Sequence, residues 1–167
     1  MKETTIISGF PGIGKTHYFK DQEYNGKTCL DSDSSKFSWV KDENGDNTKE
    51  RNPEFPSNYI KHIKENIGKV DIIFVSSHDV VRKALEEANI RYVLVYPKIN
   101  AKEEYIRRYE QRGSSESFIK FISDNWENFI NDMKNETFPY KKELEDWQYL
   151  SSMGVIFSCE VMGYSEC

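Results

Sequence analysis

The sequence predicts an α/β fold on a five-stranded, mainly parallel sheet. Two features predict it: short apolar, β-branched runs recur along the chain, and amphipathic helical stretches separate them. Strands alternating with helices make right-handed βαβ crossovers. These place helices on both faces of a parallel sheet, a three-layer αβα arrangement. A length of 167 residues suits one domain, expected over 1–167.

Thr4-Thr5-Ile6-Ile7-Ser8 reads as a buried first strand. Gly9 to Thr16 is a glycine-rich turn, and a helix follows to about Asp21. Asn25-Gly26 marks a turn, and Lys27 to Leu30 a second strand ending in Asp31-Ser32-Asp33. Residues 41–56 are polar and without a period, so a long loop is expected there. Ser57 is the expected cap of a helix with Tyr59, Ile60, Ile63 and Ile67 on one face, closed by Gly68. Val70 to Val75 is the third strand, and its apolar run from Ile72 implies burial on both faces. Ser77 or Asp79 would cap the next helix, striped by Val81, Ala84, Leu85 and Ala88. Arg91 to Tyr96 is the fourth strand, stopped by Pro97.

A charged helix is expected from about Ala101 to Arg112, broken by Gly113-Ser114-Ser115. The next helix carries Ile119, Ile122, Trp126, Phe129 and Met133. Pro139 is expected to open a further helix with Tyr140, Leu144 and Trp147, ended by Gly154; Val155-Ile156-Phe157 would be the fifth strand.

Composition narrows the function. Aromatic residues make up 14%, which argues against disorder. The net charge of −5 excludes a surface coated in positive charge for duplex DNA or anionic lipid, while leaving room for a local basic cleft. No apolar run approaches the roughly 18 residues of a membrane span, and the first residues are too short a run for a signal peptide. Cys29, Cys159 and Cys167 are widely spaced and lack zinc-ligand spacing. Reduced thiols in a cytoplasmic protein are expected, with a Cys159–Cys167 disulfide disfavoured.

Gly9-Phe10-Pro11-Gly12-Ile13-Gly14-Lys15-Thr16 fits GxxxxGK[ST] in full, between a strand and a helix. Glycines admit backbone conformations closed to other residues, so successive N–H groups turn inward to cradle phosphate oxygens. The helix start adds partial positive charge. Lys15 would reach the β- and γ-phosphates, and the Thr16 hydroxyl would bind Mg²⁺. Gly9, Pro11, Gly12, Ile13, Gly14, Lys15, Thr16 and the adjoining His17 are therefore the nucleotide-site residues.

The motif resembles that of P-loop NTPases. The third strand ends Ser76-Ser77-His78 without the acidic Mg²⁺ ligand of motor and switch ATPases, and Asp71 sits at its other end. Asp31-Ser32-Asp33 resembles the DxD of shikimate- and gluconate-kinase-like enzymes. That resemblance implies Asp31 as the Mg²⁺ carboxylate and Asp33 as the base or orienter at the acceptor hydroxyl. Val75 to Arg82 is similar to the gluconate-kinase pattern, with Ser77, His78 and Arg82 toward substrate; the alternative for Arg82 is a solvated helix arginine. Tyr105 to Arg112 resembles the lid of nucleotide and small-molecule kinases, which implies that at least one of Arg107, Arg108 and Arg112 closes over the phosphates. The alternative is a charged, exposed helix face. The expected fold is thus P-loop kinase-like, with an acceptor-side insert at about 41–68 and a helical lid at about 101–117.

Between the second and third strands lie Lys36, Phe37, Trp39 and Arg51. Phe37 or Trp39 would stack on a base, or else pack within the protein; Lys36 or Arg51 would hold a phosphate. Of the histidines His17, His62 and His78, none has a partner at catalytic spacing, and His78 is the one placed to meet a ligand. The adenine site is expected near the last strand, with residues 158–165 the candidate.

The expected activity is ATP- and Mg²⁺-dependent phosphoryl transfer to a small acceptor of nucleoside or nucleotide type. The alternatives are a kinase acting on a modified base or a polynucleotide end, with single-stranded nucleic acid as partner, a gluconate- or shikimate-like metabolite kinase, and a non-kinase NTP-binding switch. The sequence leaves the oligomeric state open.

Overall fold

The computed structural model describes residues 2–24 and 26–153. Its elements are β1 (Thr5–Gly9), α1 (Lys15–Tyr24), β2 (Cys29–Asp31), α2 (Ser35–Ser38), β3 (Trp39–Lys41), β4 (Asn47–Arg51), α3 (Ser57–Asn66), β5 (Ile72–Ser76), α4 (Asp79–Glu87), β6 (Val93–Pro97), α5 (Lys102–Gln111), α6 (Glu116–Lys134) and β7 (Tyr140–Leu144). Short 3₁₀ turns lie at Ile99–Ala101 and Leu150–Met153. Five strands form one sheet in the order β2-β5-β1-β6-β7, and β3 and β4 form a separate pair. β2 runs parallel to β5 from Cys29↔Ile72 to Asp31↔Phe74; β6 runs parallel to β7 from Val93↔Tyr140 to Pro97↔Leu144. The α/β class and the five-stranded, mainly parallel sheet agree with the sequence.

Contacts within the chain separate two compact units, Met1–Ser8 with Gln22–Tyr92 and Gly9–Asp21 with Val93–Cys167. In the first, Ile6, Ile7, Ile72, Ile73 and Phe74 of the strands are buried, together with Tyr59 and Ile63 of α3 and Val81 and Leu85 of α4. Strand starts are tied by one carboxylate. Asp71 Oδ2 accepts from the Thr28 N–H (2.8 Å), the Thr28 hydroxyl (2.9 Å) and Lys2 Nζ (3.2 Å), and the Asp71 carbonyl accepts from Thr5 N–H at 2.9 Å. In the second unit, buried Trp126 of α6 donates Nε1–H to the Ile99 carbonyl (2.7 Å) and meets Phe10 edge-on.

Three expectations are corrected. Tyr140 to Leu144 is a strand rather than a helix. Its Lys and Glu residues favour a helix locally, but register pairing with β6 prevails, and lysines suit a sheet edge. The expected apolar stripe splits accordingly: Leu144 is buried, while Tyr140 and Trp147 are exposed. Residues 41–56 are not one long loop, because Trp39↔Arg51 and Lys41↔Asn47 pair in an antiparallel hairpin. Its turn is held by Asp42, whose carboxylate accepts from Asn44 N–H and Asp46 N–H, with Gly45 at φ +82°. The caps also differ. Ser57 is the first residue of α3, which follows Pro56 without a side-chain cap, and His78 occupies the cap position of α4. Ser115 caps α6 by accepting from Phe118 N–H. Gly154, the strand expected at Val155-Ile156-Phe157, the candidate adenine segment 158–165, and Cys159 and Cys167 lie outside the described residues. Among the described residues no helix is long and apolar enough to cross a membrane.

The Thr28 donors, and Lys2 after them, hold the Asp71 carboxyl below its ordinary value of 3.8. A depressed carboxylate stabilises the fold above its unfolded value, and the stabilisation is lost as pH falls through its folded value. Asp71→Ala is expected to lower Tm at neutral pH. The gap from the unsubstituted protein should close as pH drops below about 4. Thermal melts of both proteins between pH 7 and pH 3 check this, and a gap constant across that range contradicts it.

Candidate active site

The turn after β1 shows where each of its carbonyls goes. Phe10 O accepts from Ile13 N–H (3.3 Å), and Gly14 O from Tyr18 N–H (3.1 Å). The three between are held from outside the turn. Pro11 O accepts from the Tyr109 hydroxyl (2.7 Å), Gly12 O from Arg108 Nη1 (2.8 Å), and Ile13 O from Leu150 N–H (2.8 Å). In a trans peptide the N–H lies opposite the carbonyl, so the Gly12 and Gly14 N–H groups point away from those donors, while the Ile13 N–H turns back to Phe10 O. Amides turned this way at a helix start can receive an anion.

Glycine is required twice. Gly12 and Gly14 both sit at φ +90°, where a side chain is strained. A Cβ on Gly12 would stand 3.0 Å from the Tyr109 ring, and one on Gly14 2.9 Å from the Tyr149 ring. Lys15 is half-buried at the start of α1, with Thr16 and His17 exposed beside it.

Behind the turn stands a cluster on α5 that the sequence reading placed in a lid. Arg108 is 7% exposed. Its Nε bonds Glu104 at 3.3 Å, and its Nη2 bonds the Asp146 and Gln148 carbonyls at 2.8 and 3.1 Å. The Tyr105 and Tyr149 rings flank the guanidinium at 4.4 and 3.9 Å. Arg107 is exposed and bonds Glu104 through Nε (2.9 Å) and Nη2 (2.7 Å). Bonds from Arg107, with Arg108 contributing, hold the Glu104 carboxyl below its ordinary range. Arg112 bonds the Ser114 hydroxyl and lies over the Tyr109 ring.

The first unit holds the other candidates. Asp31 and Asp33 are exposed and alternate with buried Ser32 and Ser34. The serines anchor the segment from below. Ser32 Oγ bonds His62 Nε2 (2.9 Å), and Ser76 Oγ bonds Ser34 Oγ (2.7 Å) and accepts from Ser34 N–H. Tyr59, fully buried, donates to the Ser32 carbonyl (2.5 Å) and accepts from Ser76 N–H (3.4 Å). Burial raises the Tyr59 pKa well above the tyrosine range, and the Asp33 and Asp31 charges push the same way, so the hydroxyl stays protonated. Asp33 Oδ1 accepts from Ser35 N–H.

Phe37 packs on Tyr59 and His62, with centroids at 5.2 and 4.8 Å, and its carbonyl accepts from Asn58 Nδ2. Arg51 lies over the Trp39 ring at 4.2 Å. Lys36 and His78 are exposed, and Ser77 is half-buried. Arg82 is buried and donates Nε–H to the Ser77 carbonyl (2.9 Å). The structure therefore gathers the turn and Arg108 in one unit. The aspartates, Lys36, Phe37, Trp39, Arg51, Ser77, His78 and Arg82 lie in the other.

No protein-family model matches the chain, and no curated protein matches its sequence. Solved structures do match its fold. A tunicamycin resistance protein from Deinococcus radiodurans aligns with 99% of this chain and 98% of its own at 12% identity and TM-score 0.55. A gluconokinase from Sinorhizobium meliloti 1021 aligns with 90% of this chain and 86% of its own at 16% identity and TM-score 0.49. The chain thus shares the fold of the tunicamycin resistance protein, an α/β fold on a five-stranded, mainly parallel sheet.

Sequence reasoning missed Tyr59, Tyr105, Tyr109 and the segment 145–150. Tyr105 and Tyr109 are four residues apart on one face of α5, a visible signal. The backbone donor of Leu150 has no side-chain signature. Two buried tyrosines make a test. The Tyr105 hydroxyl has no hydrogen-bond partner among the described residues, and burial pushes its pKa up to about 12. Tyr105→Phe should leave stability unchanged or raise it slightly, whereas Tyr59→Phe strands the Ser32 carbonyl and should cost ~1–3 kcal/mol. Urea unfolding of both variants decides; equal losses would contradict the assignment.

Proposed function

We propose that this chain is an ATP-dependent kinase that transfers the γ-phosphate to a small acceptor of nucleoside or nucleotide type. The observation that carries the reading is the turn at 11–14, whose Pro11, Gly12 and Ile13 carbonyls are tied back, which leaves the Gly12 and Gly14 amides to meet a phosphate at the start of α1. In this reading Lys15 follows the phosphates and Thr16 meets the metal. Mg²⁺ keeps most of its water and needs only one or two protein oxygens. The exposed Thr16 hydroxyl in one unit and the exposed Asp31 carboxylate in the other are each an oxygen of the kind that demand calls for; no cluster of three metal-ligating side chains occurs among the described residues. When bound, Mg²⁺ neutralises phosphate charge.

The chain's own part is positioning, which dominates phosphoryl transfer. The amide nest fixes the β-phosphate, and Lys15 offsets charge on the transferring group. Asp33, exposed and held at its backbone by Ser32 and Ser34, takes or orients the acceptor's hydroxyl proton. For the acceptor, the Arg51–Trp39 stack offers an aromatic face and a cation together, which suits a base bearing a phosphate. Arg107 and Arg112 are candidates for closing over the phosphates. A second reading, a small-metabolite kinase, rests on the exposed Asp31 and Asp33 and needs no aromatic platform.

ADP release is measured with ATP and Mg²⁺ against nucleosides, nucleoside monophosphates, gluconate, shikimate, single-stranded DNA, and tunicamycin, because one neighbour is named for resistance to it. Release that depends on a nucleoside or nucleotide is the expected outcome. Release with every acceptor, or with none, points to a switch. Lys15→Ala should abolish release, and Asp33→Asn should lower kcat by ~10²–10⁴-fold while Mg·ADP still binds.

A further inference from the structure

We propose that Arg108 is a positioning residue that presets the phosphate-binding turn, and not an arginine that closes over the phosphates. The proposal deepens the reading of residues 9–16 as a phosphate site and rests on it. A guanidinium has five N–H donors in a planar fork, and here four hydrogen bonds go to protein oxygens: Glu104, Gly12, Asp146 and Gln148. Three of those are main-chain carbonyls. Two rings, those of Tyr105 and Tyr149, also lie against the guanidinium. The charge is 7% exposed and lies beside the Glu104 carboxylate. Swinging Arg108 toward a phosphate would strand three carbonyls and uncover two rings. Arg107, next in sequence, has a side chain 58% exposed, and its carboxylate partner also serves Arg108.

The bond to Gly12 does more than fill a donor. It fixes the direction of the Gly12–Ile13 peptide, whose N–H closes the turn on Phe10 O and so sets the course of the backbone on either side. Through Asp146 and Gln148 the same guanidinium holds the segment whose Leu150 N–H ties the next carbonyl, Ile13 O. One side chain thus registers the turn against its backing. The Tyr109 hydroxyl, one residue on, does the same for Pro11 O. A lysine cannot replace this function, because a single ammonium cannot span three carbonyls in one plane.

A preset turn serves ADP and ATP alike, whereas an arginine on the transferring phosphate acts on ATP turnover. Arg108→Lys and Arg108→Ala are therefore expected to weaken Mg·ADP and Mg·ATP binding in parallel, each by about 10-fold or more. At saturating ATP, kcat should change far less than KM, and added guanidinium ion should restore part of the Mg·ADP affinity of Arg108→Ala. Calorimetric titration with each nucleotide reads the affinities, and a thermal melt of each variant checks its fold. Tyr109→Phe keeps its ring and loses one bond to the turn. It should weaken Mg·ADP by about 3-fold, so the proposal stays decidable even if the Arg108 variants do not fold. Unchanged Mg·ADP affinity in folded Arg108→Lys, or in Tyr109→Phe, overturns the proposal. A collapse of kcat with intact Mg·ADP affinity also overturns it and returns Arg108 to the phosphates. Wild-type protein that binds no Mg·ADP overturns the phosphate-site reading itself, an outcome distinct from failure of the clamp.

Discussion

A peptide group that offers its N–H to an anion must send its carbonyl the other way. Somewhere behind the turn, acceptors in series need donors, and water is a poor choice where the backing is a packed core. In this chain the answer is a hydroxyl, a guanidinium and a backbone amide, on Pro11, Gly12 and Ile13 in turn. The rest of the second unit follows from that need. Tyr105 and Tyr109 share a face of α5 because one supports the guanidinium and the other donates directly. The segment after β7 returns toward the turn because its carbonyls hold the guanidinium and its amide holds Ile13. The buried charge is tolerable because a carboxylate and three carbonyls meet it together.

The first unit solves a different problem with the same economy. Two aspartates must face outward on a short stretch without letting the backbone drift. Alternation does this: Ser32 between them and Ser34 after them are buried and held by Tyr59, His62 and Ser76. Protonated Tyr59 orients the loop and adds no charge beneath the two carboxylates.

The parts of the molecule written in local chemistry were legible. The turn at 9–16 was readable because the positive φ at Gly12 and Gly14 demands glycine at a fixed spacing ahead of Lys15-Thr16. The strands at 5–9, 72–76 and 93–97 were readable because burial on both faces leaves an unbroken apolar run. What escaped was decided at a distance. Tyr140–Leu144 has helix-favouring residues and became a strand because β6 offered it a ladder. The hairpin at 39–51 carries the Asn44-Gly45 turn signal, but its strands are too polar to show an alternation. Arg108 and Arg107 look alike in sequence. Only the fold separates the one that is enclosed from the one that is exposed.

The three tryptophans occupy three different surroundings. Trp126 is sealed in the core, Trp39 lies under a guanidinium in the hairpin, and Trp147 stands 69% exposed on the segment that backs the turn. Trp147 lies between Asp146 and Gln148, the two residues whose carbonyls meet Arg108. The molecule thus carries an intrinsic fluorophore on the very element that backs its glycine turn. A buried indole in the same unit serves as the internal standard for its emission.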